Sequence, residues 1–134
     1  MLRITMTAAA LVSSMALAGG DAAKGEAKYK MMCASCHGEK GDGNGAAAAA
    51  LNPKPTNFTD AANADRLTED YTFKVIKEGG AAVGKSPLMV AWGASMKEDE
   101  LRDVTAYVLK LKPAKAAAPA KAEPAKKAEP KKTK

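Results

Sequence analysis

The chain has 134 residues, room for one domain, and only six of them are Phe, Trp or Tyr. Aromatic side chains usually supply much of a core's buried area, so this domain needs something besides its own side chains to fill the middle. The formal charge of +6 sits at the ends: residues 113–134 hold seven lysines against two glutamates, and Arg3 adds one more. Residues 19–112 are therefore neutral overall, and no basic face for nucleic acid is expected.

In chain order, Met1-Leu2-Arg3 gives a short positive start, and Ile4 to Leu17 is small or apolar without charge. Ala16-Leu17-Ala18 matches a small-x-small cleavage pattern, which predicts a signal peptide over 1–18, cut after Ala18. The stretch is too short, and too diluted by Ala, Ser and Thr, for the roughly 20 strongly apolar residues that span a bilayer. The mature protein is expected to be soluble in an exported compartment, the periplasm, with the thylakoid lumen as the alternative.

A first helix is predicted from Asp21 to about Met32, with Asp21 at its cap. Gly25 inside it costs roughly 1 kcal/mol relative to Ala, which a close helix crossing explains, and Tyr29 lies one turn on along the same face. Glycines, prolines and asparagines from Gly38 to Phe58 predict a long loop, helical across Ala46–Ala50. Thr59 and Asp60 can cap a short turn, and Thr68 a helix with Glu69 and Asp70 in its first turn, which Gly79-Gly80 stops. The last helix runs from about Glu98 to Leu111, where Leu101, Val104, Val108 and Leu111 recur at spacings of three and four beside Tyr107. No segment alternates as a strand, so the fold class is all-α. From Pro113 only Pro, Ala, Lys, Glu and one Thr occur. Residues 113–134 offer no large apolar group to bury and are expected to be disordered.

Cys33-Ala34-Ser35-Cys36-His37 holds both cysteines and the one histidine of the chain. C-x-x-C-H is a haem-attachment pattern: the thiols add to two vinyl groups, and the adjacent imidazole ligates the iron. A thioredoxin-like dithiol needs a βαβ setting, and a structural zinc needs four ligands where two Cys and one His fall short. A nucleophilic Cys with His as its base is geometrically poor between sequence neighbours. A plain disulfide stays open but leaves His37 and the aromatic-poor core unexplained. A buried porphyrin accounts for both. Asp42-Gly43-Asn44-Gly45 faintly resembles a calcium loop, but its twelfth position is Pro53 rather than Glu, so calcium is not expected.

From about Asp21 to Leu111 the sequence resembles a class I c-type cytochrome of the short bacterial and photosynthetic type. The resemblance rests on Lys24-Gly25 with Tyr29, the Cys33–His37 motif, the Gly-Asp-Gly loop after it, Ser86-Pro87-Leu88-Met89-Val90-Ala91-Trp92, and the helix Leu101–Leu111. It implies four or five short helices around one covalently attached haem c within residues 19–112. It also implies a methionine on the far side of the iron. Met31 and Met32 adjoin the attachment site on the first helix, leaving Met89 and Met96. Met89 lies in a loop, which places single side chains, and it matches the family's ligand motif. Met96 has another explanation: with Lys97 as N-cap, it pairs with Leu101 as a hydrophobic staple, and Glu100 completes a capping box.

Three departures from the family pattern stand out. Lys97 replaces the usual Ser or Thr, weakening the cap by about 1 kcal/mol. Val90 replaces a frequent proline, which is expected to loosen the ligand loop. Ala46 replaces a proline where the family often supplies the carbonyl that fixes the ligating imidazole, so the carbonyl serving His37 is left open, with Pro53 and Pro55 further on. Leu51, Phe58, Ile76, Val83, Leu88 and Trp92 are candidate pocket residues. The indole N–H of Trp92 is available to a haem propionate.

The resemblance implies metal ligands His37 and Met89, with Cys33, Cys36 and Trp92 binding the haem. His/Met ligation raises the potential and fills both axial sites, so a monomeric one-electron carrier between larger redox proteins is expected rather than an enzyme. Two alternatives remain: a haem protein with a labile Met that binds gases or acts on peroxide, and a haem subunit of a fixed redox complex. The lysine tail is a solvated charge run or a weak contact for an acidic partner or anionic membrane surface.

Overall fold

The computed structural model describes residues 19–114. The expected signal peptide, and the Lys-rich tail from Lys115 onward, lie outside the described residues. Asp21 holds an extended backbone and its carboxylate accepts the N–H groups of Ala23 and Lys24, which starts α1 (Ala22–Met32). The attachment motif continues as a further helical turn, α2 (Ala34–His37), with the His37 N–H bonded to the Cys33 carbonyl at 2.9 Å. In the following loop the expected helix shortens to a 3-10 turn over Ala48–Ala50. Asp60 caps α3 (Ala61–Ala64). The Thr68 hydroxyl accepts the Tyr71 N–H at 3.2 Å at the start of α4 (Glu69–Glu78), which Gly79 ends with φ 84°. A 3-10 turn (Gly80–Val83) and a loop lead to α5 (Glu98–Leu111).

The main packing contact is α1 against α5. Gly25 is buried there, and a Cβ on it would overlap the backbone carbonyl of Asp103. Lacking that atom, the two backbones approach closely enough for Tyr29 to lie beside Tyr107, ring centroids 5.1 Å apart. The Tyr29 hydroxyl donates to the Gly38 carbonyl at 2.8 Å, tying α1 to the end of α2. Across the same crossing the Asp21 N–H donates to Asp103 at 2.6 Å, and Lys28 pairs with Glu100 at 2.7 Å.

Helix α5 turns Leu101, Val104 and Val108 into the core, where they meet Tyr29, Phe58, Leu67 and Ile76. Each such side chain contributes about 1.5–3 kcal/mol on burial. Met96 is buried at 5 % exposure in this cluster with Leu101, as a staple requires. The Lys97 N–H donates to the Glu100 carboxylate at 3.0 Å, but a lysine ammonium has no lone pair to return to the helix. Half of the capping box is thus present. The described residues form five α-helices and no strand, so the all-α expectation holds. None of their helices is long and apolar enough to cross a membrane.

Candidate functional site

Residues from α1, α2, α4, α5 and the loops between them line one cavity of about 380 Å³, within the usual range of roughly 300–1,000 Å³ for a cofactor site. Cys33, Cys36 and His37 line it from α2 and its start; Thr72, Val75 and Ile76 line it from α4; Leu88, Met89, Val90 and Trp92 line it from the loop before α5. Of the candidate pocket residues, Leu51, Phe58, Ile76, Leu88 and Trp92 line the cavity. Val83 is the correction: it does not, and sits half-buried in the 3-10 turn, where helical spacing gives no guide to facing.

The His37 ring is stacked on Phe58, centroids 4.7 Å apart and planes 16° apart. Its Nδ1 lies 3.3 Å from the Thr56 carbonyl. A carbonyl can only accept, so Nδ1 carries the proton and Nε2 keeps its lone pair for a metal. Burial pushes the imidazole below its ordinary value, against the opposing pull of the Thr56 carbonyl, so the ring is neutral at neutral pH. Thr56 was not legible in the sequence because a backbone carbonyl has no side-chain signature; Pro55 beside it was the nearest hint.

Cys33 and Cys36 are half-buried free thiols. Burial, and secondarily the Cys36 thiol, pushes Cys33 up to about 11. A thiolate is disfavoured at such a position, whereas a neutral thioether meets no desolvation penalty there. Among the methionines, Met31 is 78 % exposed and Met96 belongs to the core. Met32 lines the cavity but is fixed in the last turn of α1, immediately before Cys33, and packs on the core cluster. Met89 reaches the cavity from a loop.

Lys54, Arg66 and Lys85 also line the cavity, and among the described residues no Asp or Glu does. The donor set is thus two thiols, one oriented imidazole and a soft thioether around a mainly apolar space with a cationic rim. That set fits a haem: thioether links through the cysteines, axial ligands of the His/Met kind, and cations for its two carboxylates. No group of three or more His, Cys, Asp or Glu among the described residues offers a competing metal site.

Comparison with known proteins agrees. The family model described as cytochrome c oxidase, cbb3-type, subunit III matches residues 20–108. The chain is 31 % identical over 99 residues to cytochrome c-554(547) of Halothiobacillus neapolitanus, covering 69 % of this chain and 99 % of that one. Among solved structures it is similar to a chain of the Kuenenia stuttgartiensis reducing HAO-like protein complex Kustc0457/Kustc0458, with TM-score 0.56 and 28 % identity. That likeness covers 66 % of this chain but spans only 41 % of the Kuenenia chain. By the family match and the Halothiobacillus relative, the chain belongs to the class I monohaem c-type cytochromes, proteins that bind haem c covalently and use it in electron transfer.

Proposed function

We propose that the protein is a one-electron carrier, not an enzyme, that passes electrons between larger redox proteins in the periplasm. In this reading residues 1–18 are a removed signal peptide and residues 19–112 are the working domain. Cys33 and Cys36 would hold the haem through thioethers, and His37, through Nε2, and Met89, through its sulfur, would ligate its iron. The Thr56 carbonyl fixes the tautomer and turn of the imidazole, and Phe58 supports its face. Trp92, Lys54, Arg66 and Lys85, which line the cavity, would meet the haem carboxylates. When bound, the haem supplies a one-electron iron couple whose potential His/Met ligation raises. With Met89 as a ligand, oxygen and peroxide would have no free position at the iron, and the mainly apolar walls would limit water. The route in and out is the edge near Cys36 and the Met89 loop.

The observation that carries this reading is that His37 and Met89 line one cavity while Met96 is committed to the core. The test is the visible spectrum of the exported protein, oxidised and reduced, before and after acid denaturation. Haem that stays with the denatured chain is expected, together with the long-wavelength sulfur-to-iron band of the oxidised state. That band should vanish in Met89→Ala and persist in Met96→Ala. Retained haem without the band, together with ready binding of carbon monoxide or peroxide, would favour a ligand-binding haem protein instead.

The Kuenenia likeness favours a second reading, because that relative belongs to a complex. A haem subunit of a fixed assembly would co-purify with its partner at constant stoichiometry, whereas a carrier would elute alone.

A further inference from the structure

From Gly79 to Met96 the chain carries a single charged side chain, Lys85, and most of this segment lies at the surface. Such a loop has few ion pairs and little burial to hold it. Val90 also stands where a proline would stiffen the backbone. A thioether is a weak ligand, so a loose loop would let it leave.

The backbone beneath the loop answers this. The Gly80 N–H donates to the Met89 carbonyl at 2.8 Å, and the Lys85 N–H donates to the Gly80 carbonyl at 2.8 Å. The N–H groups of Trp92 and Gly93 donate to the Ile76 and Lys77 carbonyls at 3.0 and 2.9 Å, using carbonyls that the end of α4 leaves unpaired. Gly79 and Gly80 are both buried under this stretch. A Cβ on Gly79 would lie 2.9 Å from the Met89 carbonyl oxygen and 3.0 Å from the Ala91 nitrogen. On Gly80 it would overlap the Ser86 carbonyl and come within 3.0 Å of the Met89 Cβ. Gly79 needs glycine for its φ as well, but Gly80 has no positive φ, so its requirement is space alone.

We propose that Gly79 and Gly80 form a seat that sets how far Met89 reaches into the cavity, so that backbone contact from below keeps the sixth position of the iron closed. The proposal rests on the reading of Met89 as the sixth ligand. Gly80 is a positioning residue: it acts through the Met89 backbone. Its consequence is selectivity, because a competing ligand binds in proportion to the fraction of time the loop is lifted.

The test uses the holoprotein with Gly80→Ala and Gly80→Val, beside Met89→Ala and Ala82→Val, an exposed position in the same 3-10 turn. Three properties are read: the sulfur-to-iron band of the oxidised protein, its affinity for imidazole, and haem content. The wild type should show the band and Met89→Ala should lack it. Gly80→Val should lose the band and bind imidazole about tenfold or more tightly at unchanged haem content, with Gly80→Ala between and Ala82→Val like wild type. If Gly80→Val gives no holoprotein, Gly80→Ala decides on the same readouts. Wild-type band and imidazole affinity in the Gly80 variants would overturn the seat while leaving the Met89 ligand intact. A band missing from the wild type, or surviving Met89→Ala, would remove the ligand reading and the seat together.

Discussion

Gly25 sets two residue-scale effects against each other. Alanine in place of glycine inside a helix gains about 1 kcal/mol. Here the added carbon would overlap the Asp103 carbonyl, which belongs to the backbone of α5 and cannot rotate away. Overpacking of this sort costs about 1–3 kcal/mol, and the backbone contact puts it at the upper end. Gly25→Ala is therefore expected to lower the thermal midpoint of the holoprotein; a midpoint at or above wild type would show that α1 and α5 can separate without loss. The glycine's role was legible in the sequence because it broke the helix rule with Tyr29 one turn away. Cys33, Cys36 and His37 were legible for another reason: covalent chemistry fixes their spacing. The burial of Met96 in the core was also readable, since a staple with Leu101 accounts for it, whereas Met89 is singled out by its loop and by the family's ligand motif. The Thr56 carbonyl and the Gly79-Gly80 seat were not. Both act through backbone atoms that any residue would supply, or through the absence of a side chain whose neighbours only the fold reveals.

Among the elements, α4 and α5 carry long apolar faces and strong punctuation, and their bounds follow from sequence almost to the residue. The turns α2 and Ala48–Ala50 are too short for any period to declare itself, and tertiary packing decides them. The start of α5 offers a clean test of local physics. Lys97 already has the extended backbone of an N-cap (φ −68°, ψ 157°) but no acceptor to offer. Lys97→Ser should stabilise the holoprotein by about 1 kcal/mol in denaturant unfolding, while Lys97→Ala should change little. Lys97 is exposed and is not among the residues that line the cavity, so the sulfur-to-iron band should not move. A serine variant no more stable than the alanine one would mean that the Glu100 half of the capping box already does all that this cap can do.

For the whole molecule, the decisive feature is where charge lies. Residues 19–112 balance, yet the cavity rim holds Lys54, Arg66 and Lys85 without a carboxylate, next to Leu88 at 64 % and Val90 at 52 % exposure. A neutral domain exerts little pull at long range. Nearly all of the net charge belongs to residues 113–134, so those lysines are the term that could act at a distance. If they steer the protein to an acidic redox partner, removing residues 113–134 should slow second-order electron transfer at low salt. The full-length and shortened proteins should then converge above about 0.1 M ionic strength, where the screening length is roughly 10 Å. The potential and the sulfur-to-iron band should be the same in both, because charge steering acts on the encounter with a partner and not on the iron's ligands. Equal rates and equal salt slopes would make the tail a solvated charge run, and would leave recognition to the cationic and apolar rim alone.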